Sequence, residues 1–185
     1  MRVFVKYRRM QRRIRGAVLG NWIRLMGGRV GTRFQVERGV VVRWRPHSGI
    51  DIGDNVYLGI GAIIDVPPGA RLALADDVKI MHYCVIAASL SITIGARTQV
   101  AEHCSIRDSD HGLDLSRPIR DQSVSEATFL GSDVWIGRGS AVLRGCSVGD
   151  GAVIGANSVA RGSIPDLAVA VGAPARVVRL RAAAE

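Results

Sequence analysis

Aliphatic side chains recur along this chain at every sixth residue. From Leu130 the series runs Leu130, Ile136, Val142, Val148, Ile154, Ala160, and glycine follows four of these at Gly131, Gly137, Gly149 and Gly155. Upstream the same beat comes in triplets: Val30, Val36, Val42; Ile52, Leu58, Ile64; Leu74, Ile80, Ile86; Ile94, Val100, Ile106. Neither the helical period nor the two-residue alternation of a simple strand produces this spacing. Three sixes close one triangular turn with a short strand on each side. Each repeated aliphatic then points to the axis and stacks on its counterpart one turn later. The pattern predicts an all-β fold, a parallel β-helix whose core exists only because neighbouring coils stack. The residue four places after the beat is also small or apolar, as at Val56, Ala62, Val78, Thr98, Val134, Ser140, Ala152 and Ser158. Cys84, Cys104 and Cys146 hold that same position and read as small buried packing residues. The glycines and alanines that follow the aliphatics are expected at tight corners.

The beat is interrupted unevenly. Successive triplets are separated by 10, 10, 8, 24 and 6 residues, so the joint from Ile106 to Leu130 carries 18 extra residues. A long loop thrown out of a solenoid points to function. This one contains "IRDSDHGLDLSRP", with His111 among acidic and glycine neighbours. Before the beat begins, residues 1–28 read as a helix to about Met26, stopped by Gly27 and Gly28. Val5, Met10, Ile14, Val18, Trp22 and Met26 form an apolar stripe on it. The expected organisation is a basic helical segment 1–28, a β-helix 29–172 with a protruding loop 107–129, and a C-terminal tail or short helix 173–185.

Charge sharpens the reading of the N-terminus. Residues 1–45 hold 13 Lys/Arg against one acid, Glu37, whereas residues 46–185 hold 12 against 15. The net charge of +9 therefore belongs to one end of the chain. Two roles fit that segment: a helix capping the open end of the solenoid, or a basic amphipathic surface for peripheral contact with an anionic membrane. Nucleic acid is not an expected partner, because the segment lacks aromatic interleaving and any known motif. No stretch reaches the roughly 18 apolar residues of a membrane span. No apolar signal core follows the first charges, and three dispersed cysteines make no disulfide or zinc framework. The expected location is the cytoplasm, extending to the inner face of the membrane.

The hexapeptides, together with "FLGSDVWIGRGSAVLRGCSVGDGAVIGANSVARGSIPDLAVAVGAPARVVR", resemble the left-handed β-helix hexapeptide acyltransferases over roughly residues 50 to 180. The likeness is nearest to the galactoside, maltose and polysaccharide O-acetyltransferases. It implies a left-handed coil and a homotrimer with active sites between subunits. It also implies acetyl-CoA as cosubstrate, a sugar or glycan acceptor, and no metal. His111 falls where the family keeps its catalytic histidine. An imidazole there can take the hydroxyl proton as attack on the thioester begins, and backbone N–H groups can hold the resulting oxyanion. By resemblance the donor is the Arg138 amide in "WIGRG", with Gly137 beside it and Trp135 lining the cleft. Ala156, Arg161, Arg176 and Arg179 match the CoA channel and its basic positions. At Arg161 the family commonly has Thr-Lys where this chain has Arg161-Gly162.

The acceptor end departs from the galactoside pattern. That branch has an asparagine thirty residues before the catalytic histidine, and here the position is Met81, followed by His82 and Tyr83. These three, with Asp108 and Asp110, are the expected acceptor contacts, and Asp110 is alternatively a group that orients His111. Three rival readings share the repeat: an N-acetyltransferase acting on an amino sugar, a non-catalytic scaffold, and a γ-carbonic-anhydrase-like metal enzyme using His82, His103 and His111.

Overall fold

The structure is a computed structural model that describes residues 2–182. A helix, Arg2–Leu25, leads into stacked parallel coils. The first face of the prism is built from Arg29–Val30, Ile50–Ile52, Arg71–Leu74, Ser91–Ile94, Thr128–Leu130, Ser147–Val148 and Ser163–Ile164. The second holds Gln35–Val36, Tyr57–Leu58, Lys79–Ile80, Gln99–Val100, Trp135–Ile136, Val153–Ile154 and Ala168–Gly172. The third holds Val41–Val42, Ile63–Asp65, Val85–Ala87, Ser105–Arg107, Ala141–Val142 and Val159–Ala160.

The register follows the six-residue beat. Leu58 pairs with Ile80, Ile80 with Val100, Val100 with Ile136 and Ile136 with Ile154 on the second face. Of the eighteen beat residues all are buried except Val30 and Val42, which lie half-covered in the first coil. Ile164 and Ala170 continue the core one coil past the repeats read from the sequence. The three cysteines are buried as expected. Burial pushes the Cys146 thiol up to about 11.

The corners correct one expectation. The glycines directly after the beat do not supply the left-handed backbone; they are needed for close approach. A Cβ on Gly137 would lie 2.6 Å from the Ala156 nitrogen and 2.8 Å from the Ile154 oxygen of the next coil. The left-handed residue stands two places later, as at Asn55, Tyr83, His103, Gly139 and Asn157.

The C-terminus is a second correction. The expected short helix in 173–185 is a strand, Ala175–Leu180, antiparallel to Ala168–Gly172. A helix there would leave the edge of Ala168–Gly172 unpaired, and the β-branched Val177 and Val178 suit a ladder. Residues 183–185 of that segment lie outside the described residues.

At the other end the helix stops as read. Gly27 adopts φ +89° and the Gly28 amide donates to the Ile23 carbonyl at 3.0 Å. Gly16, Gly20 and Ile23 are buried against the first coil. A Cβ on Gly16 would meet the Phe34 carbonyl carbon at 2.7 Å, so the helix packs through its smallest residues.

Candidate functional site

The insertion after the third-face strand Ser105–Arg107 is an ordered hairpin. Ser109–Asp110 pairs antiparallel with Val124–Ser125, and a single 3-10 turn, Ile119–Asp121, closes the tip. Gln122, buried in an otherwise exposed loop, organises it. Its Nε2 donates to the carbonyls of Asp114 and Arg117 at 2.8 Å each, and its Oε1 accepts the Asp114 amide at 3.0 Å. Asp114 also accepts from the Ser116 amide and hydroxyl, which holds its carboxyl below the usual range.

This frame orients His111. Its Nδ1 lies 3.1 Å from the Ile119 carbonyl and 3.0 Å from the Gln122 carbonyl. Carbonyls only accept, so Nδ1 carries a proton, and in the neutral ring the lone pair is on Nε2. The ring is exposed.

The two aspartates beside His111 are each engaged by groups of the protein. Asp108 is fully buried and accepts the amides of Ser89, Leu90 and Ser91 at 2.6, 2.8 and 2.6 Å. With its carboxylate turned into the corner it has no face for an acceptor. Asp110 does not orient His111 either: its carboxylate pairs with Arg144 at 3.1 Å, and Arg144 also reaches Glu126 at 3.6 Å. That ion-paired set ties the root of the hairpin to the following coil.

The remaining candidates lie elsewhere on the prism. The edge between the second and third faces carries, coil by coil, Met81–His82–Tyr83, then His103, then Gly137–Arg138, then Ala156. Gly137 and Gly139 donate their amides to Ile154 and Glu102 at 2.7 and 2.9 Å, while the Arg138 amide between them has no partner among the described residues. His82 is half-buried, and its Nδ1 accepts the Ile60 amide at 2.9 Å, which leaves Nε2–H as a donor. Tyr83, 55% exposed, stacks on His103 with ring centroids 5.3 Å apart. Arg176 pairs with Val171 at the upper end of this edge, next to Gly155, whose Cβ would meet Val171 at 2.6 Å.

Trp135 and Arg179 come together on the second face. They line a groove of about 560 Å³ with Arg97, Gln99, Asp133 and Arg181. Arg161 is separate: it follows Ala160 on the edge between the third and first faces, the edge from which the His111 loop also springs. The candidates of one chain therefore fall into two groups. His111 and Arg161 stand on one edge; Tyr83, His103, Arg138, Ala156 and Arg176 stand on another. Sequence reading missed Gln122, Arg144 and the His103 partner of Tyr83. The loop has no period from which Gln122 or Arg144 could be read, and His103 has a signal only once coils are stacked.

Comparison with known proteins agrees with the repeat. The family described as bacterial transferase hexapeptide (six repeats) matches residues 127–162. A putative lipopolysaccharide biosynthesis O-acetyl transferase of Escherichia coli is 35% identical over 144 residues, covering 73% of this chain and 74% of that protein. The chain belongs to the hexapeptide-repeat acetyltransferases. A probable acetyltransferase of Mycobacterium tuberculosis is 39% identical over 147 residues and 78% of this chain, which spans 49% of that longer relative. Among solved structures the fold is shared with AntD, an N-acyltransferase from Bacillus cereus in complex with dTDP and 3-hydroxybutyryl-CoA. The TM-score is 0.70 at 18% identity, with 83% of this chain and 82% of that chain covered. A hexapeptide-repeat acetyltransferase from Vibrio cholerae complexed with acetyl coenzyme A has a TM-score of 0.56 at 24% identity, with 85% and 73% covered.

Proposed function

We propose that this chain is an O-acetyltransferase that moves an acetyl group from acetyl-CoA to a hydroxyl of a sugar or surface-polysaccharide intermediate. The observation that carries the reading is the exposed His111 ring, whose Nδ1–H is engaged by two loop carbonyls, so that Nε2 of the neutral ring is left as a base. Nε2 takes the acceptor proton as the hydroxyl oxygen attacks the thioester carbon. The Arg138 amide, with no partner among the described residues, would hold the oxyanion. Collapse breaks the C–S bond, and the departing CoA thiolate takes the proton back from the imidazolium.

The two separated groups of candidates support a site shared between copies, which in our reading are three left-handed coils in a homotrimer. A rotation about an axis parallel to the solenoid keeps each residue at its height. The His111 loop leaves the coil that bears His103 between its second and third faces, and Arg138 is one coil further along, about 4.8 Å. The edge between the third and first faces of one copy then faces, on the next copy, Arg138 with Ala156 and Arg176 above it and the Tyr83–His103 pair below. The upper part suits the CoA arm and its phosphates, with Trp135, Gly137 and Arg179 along the adjoining face and Arg161 supplied by the copy that brings His111. The lower part suits the acceptor: the Tyr83 ring offers a flat apolar surface to a pyranose, with Met81 and His82 beside it. Oxygen rather than nitrogen as the nucleophile is supported by the name of the Escherichia coli relative; the likeness to AntD is one of fold. The work would be cytoplasmic, where the donor is made.

The test is thiol release from acetyl-CoA over a panel of sugars, nucleotide sugars, amino sugars and glycan oligomers, with wild type and His111→Ala. Acceptor-dependent release that falls about 10²- to 10⁴-fold in the variant is expected for loss of a general base. Release unchanged in the variant removes His111 from the role, and release only with amines moves the reading to N-acylation.

A further inference from the structure

The N-terminal helix has two apolar sides, and the solenoid uses one. Gly16, Gly20 and Ile23 pack on the first coil, with Leu19 half-covered beside them. At 3.6 residues per turn, Tyr7, Met10, Ile14, Val18 and Leu25 fall away from that packing, and Ile14, Val18 and Trp22 form the helix wall of an open groove whose other wall is Val36, Val40 and Val42 of the first coil. The five residues are, in that order, 52, 53, 54, 67 and 78% exposed, and Trp22 at their margin is 42% exposed. Capping the solenoid therefore does not explain them.

Charge identifies what suits this side. The helix carries eight Arg/Lys and no acid. Arg12 turns inward, 4.0 Å from Glu37 and 5.8 Å from the Tyr57 ring centroid, and Arg24 is held by the Val30 and Gly31 carbonyls at 2.7 and 2.9 Å. Arg9 and Arg13 stand exposed beside Met10 and Ile14. An apolar strip bordered by arginines, with no carboxylate of its own, is the composition of a helix that lies in the interface of an anionic bilayer. No helix among the described residues is long and apolar enough to cross one.

We infer that this helix is a peripheral membrane anchor, with the Tyr7–Leu25 strip entering the headgroup region of an anionic bilayer and the arginines meeting lipid phosphates. The inference is independent of the acyl-transfer reading. The end cap and the membrane contact, which read as alternatives in the sequence, occupy different sides of one helix.

The experiment is co-sedimentation of the full chain with vesicles of phosphatidylcholine alone and of equal parts phosphatidylcholine and phosphatidylglycerol, at low and high salt. The same is done for Ile14→Ser/Val18→Ser and for Arg9→Gln/Arg13→Gln, four exposed positions, with the melting temperature of each variant measured alongside to confirm that the helix stays docked. Binding is expected only to the anionic vesicles and is weakened by salt. The arginine pair should weaken it roughly 25-fold, at about fivefold for each basic residue near the surface, and the serine pair should weaken it as well. Wild-type protein that stays in the supernatant with anionic vesicles overturns the proposal, as does binding that both variants retain. A serine pair that lowers the assembly mass in the absence of lipid would assign the strip to contact between copies and also overturn it.

Discussion

Replacing Asp108 by alanine separates a structural carboxylate from a substrate ligand. Asp108 has no exposed surface and accepts three backbone amides from Ser89 to Ser91 within 2.8 Å. Hydrogen bonds to a charged group contribute about 1.5–3 kcal/mol each, so three bound the loss at roughly 4.5–9 kcal/mol. Ser89 and Leu90 are exposed, which lets water reach part of the orphaned backbone. A loss of about 3–5 kcal/mol is expected, of the size seen when a buried charged network loses one partner. For a domain of this length that lowers the melting temperature by very roughly 10 °C. Asp108→Asn keeps the shape but turns an amide donor toward backbone donors, and should fall between the two. Calorimetry or denaturant melts measure the change, beside acceptor KM. An alanine variant that melts with wild type while its acceptor KM rises would refute the structural role.

Other consequences follow from the same geometry. Gln122→Ala removes three contacts within the loop and frees His111 from its fixed pose; kcat should fall about 10- to 100-fold, with acetyl-CoA KM and melting temperature little changed. Equal loss in kcat and stability would make Gln122 a folding residue only. Gly137→Ala pushes a Cβ to 2.6 Å from the next coil's backbone, and a loss of about 2 kcal/mol or more is expected in denaturant melts. Cys84, Cys104 and Cys146 are buried, with the Cys146 thiol pushed up to about 11, so a thiol reagent near neutral pH should label none of them in the native protein and all three in denaturant. Fast labelling of any one in the native state would contradict the packing.

The solenoid was legible because its signal is redundant. Each beat residue repeats the same burial, and the stack Val36, Leu58, Ile80, Val100, Ile136, Ile154 is the sequence pattern read down one face. The +1 glycines were visible but their cause was not, because close approach between coils is a relation between residues about twenty apart. The C-terminal strand was misread because Ala175–Leu180 lies outside the repeat and pairs by turning back on itself. In the site, the position of His111 at a break in the beat was plain. The direction of its ring was not, because Gln122 and two carbonyls set it rather than the neighbouring aspartates. Asp108 looked like a site residue because an acidic group near a histidine carries no label separating a corner tie from a ligand.

The most direct test of the account is complementation between two inactive subunits. His111→Ala lacks the base on the edge between the third and first faces, and Ala156→Tyr blocks the edge between the second and third faces, so each should be inactive alone. Co-assembled at equal amounts, mixed trimers would each contain one interface with both edges intact, and about a quarter of wild-type turnover should return. Mixed assemblies that form and bind acetyl-CoA but recover no turnover would contradict a site shared between copies.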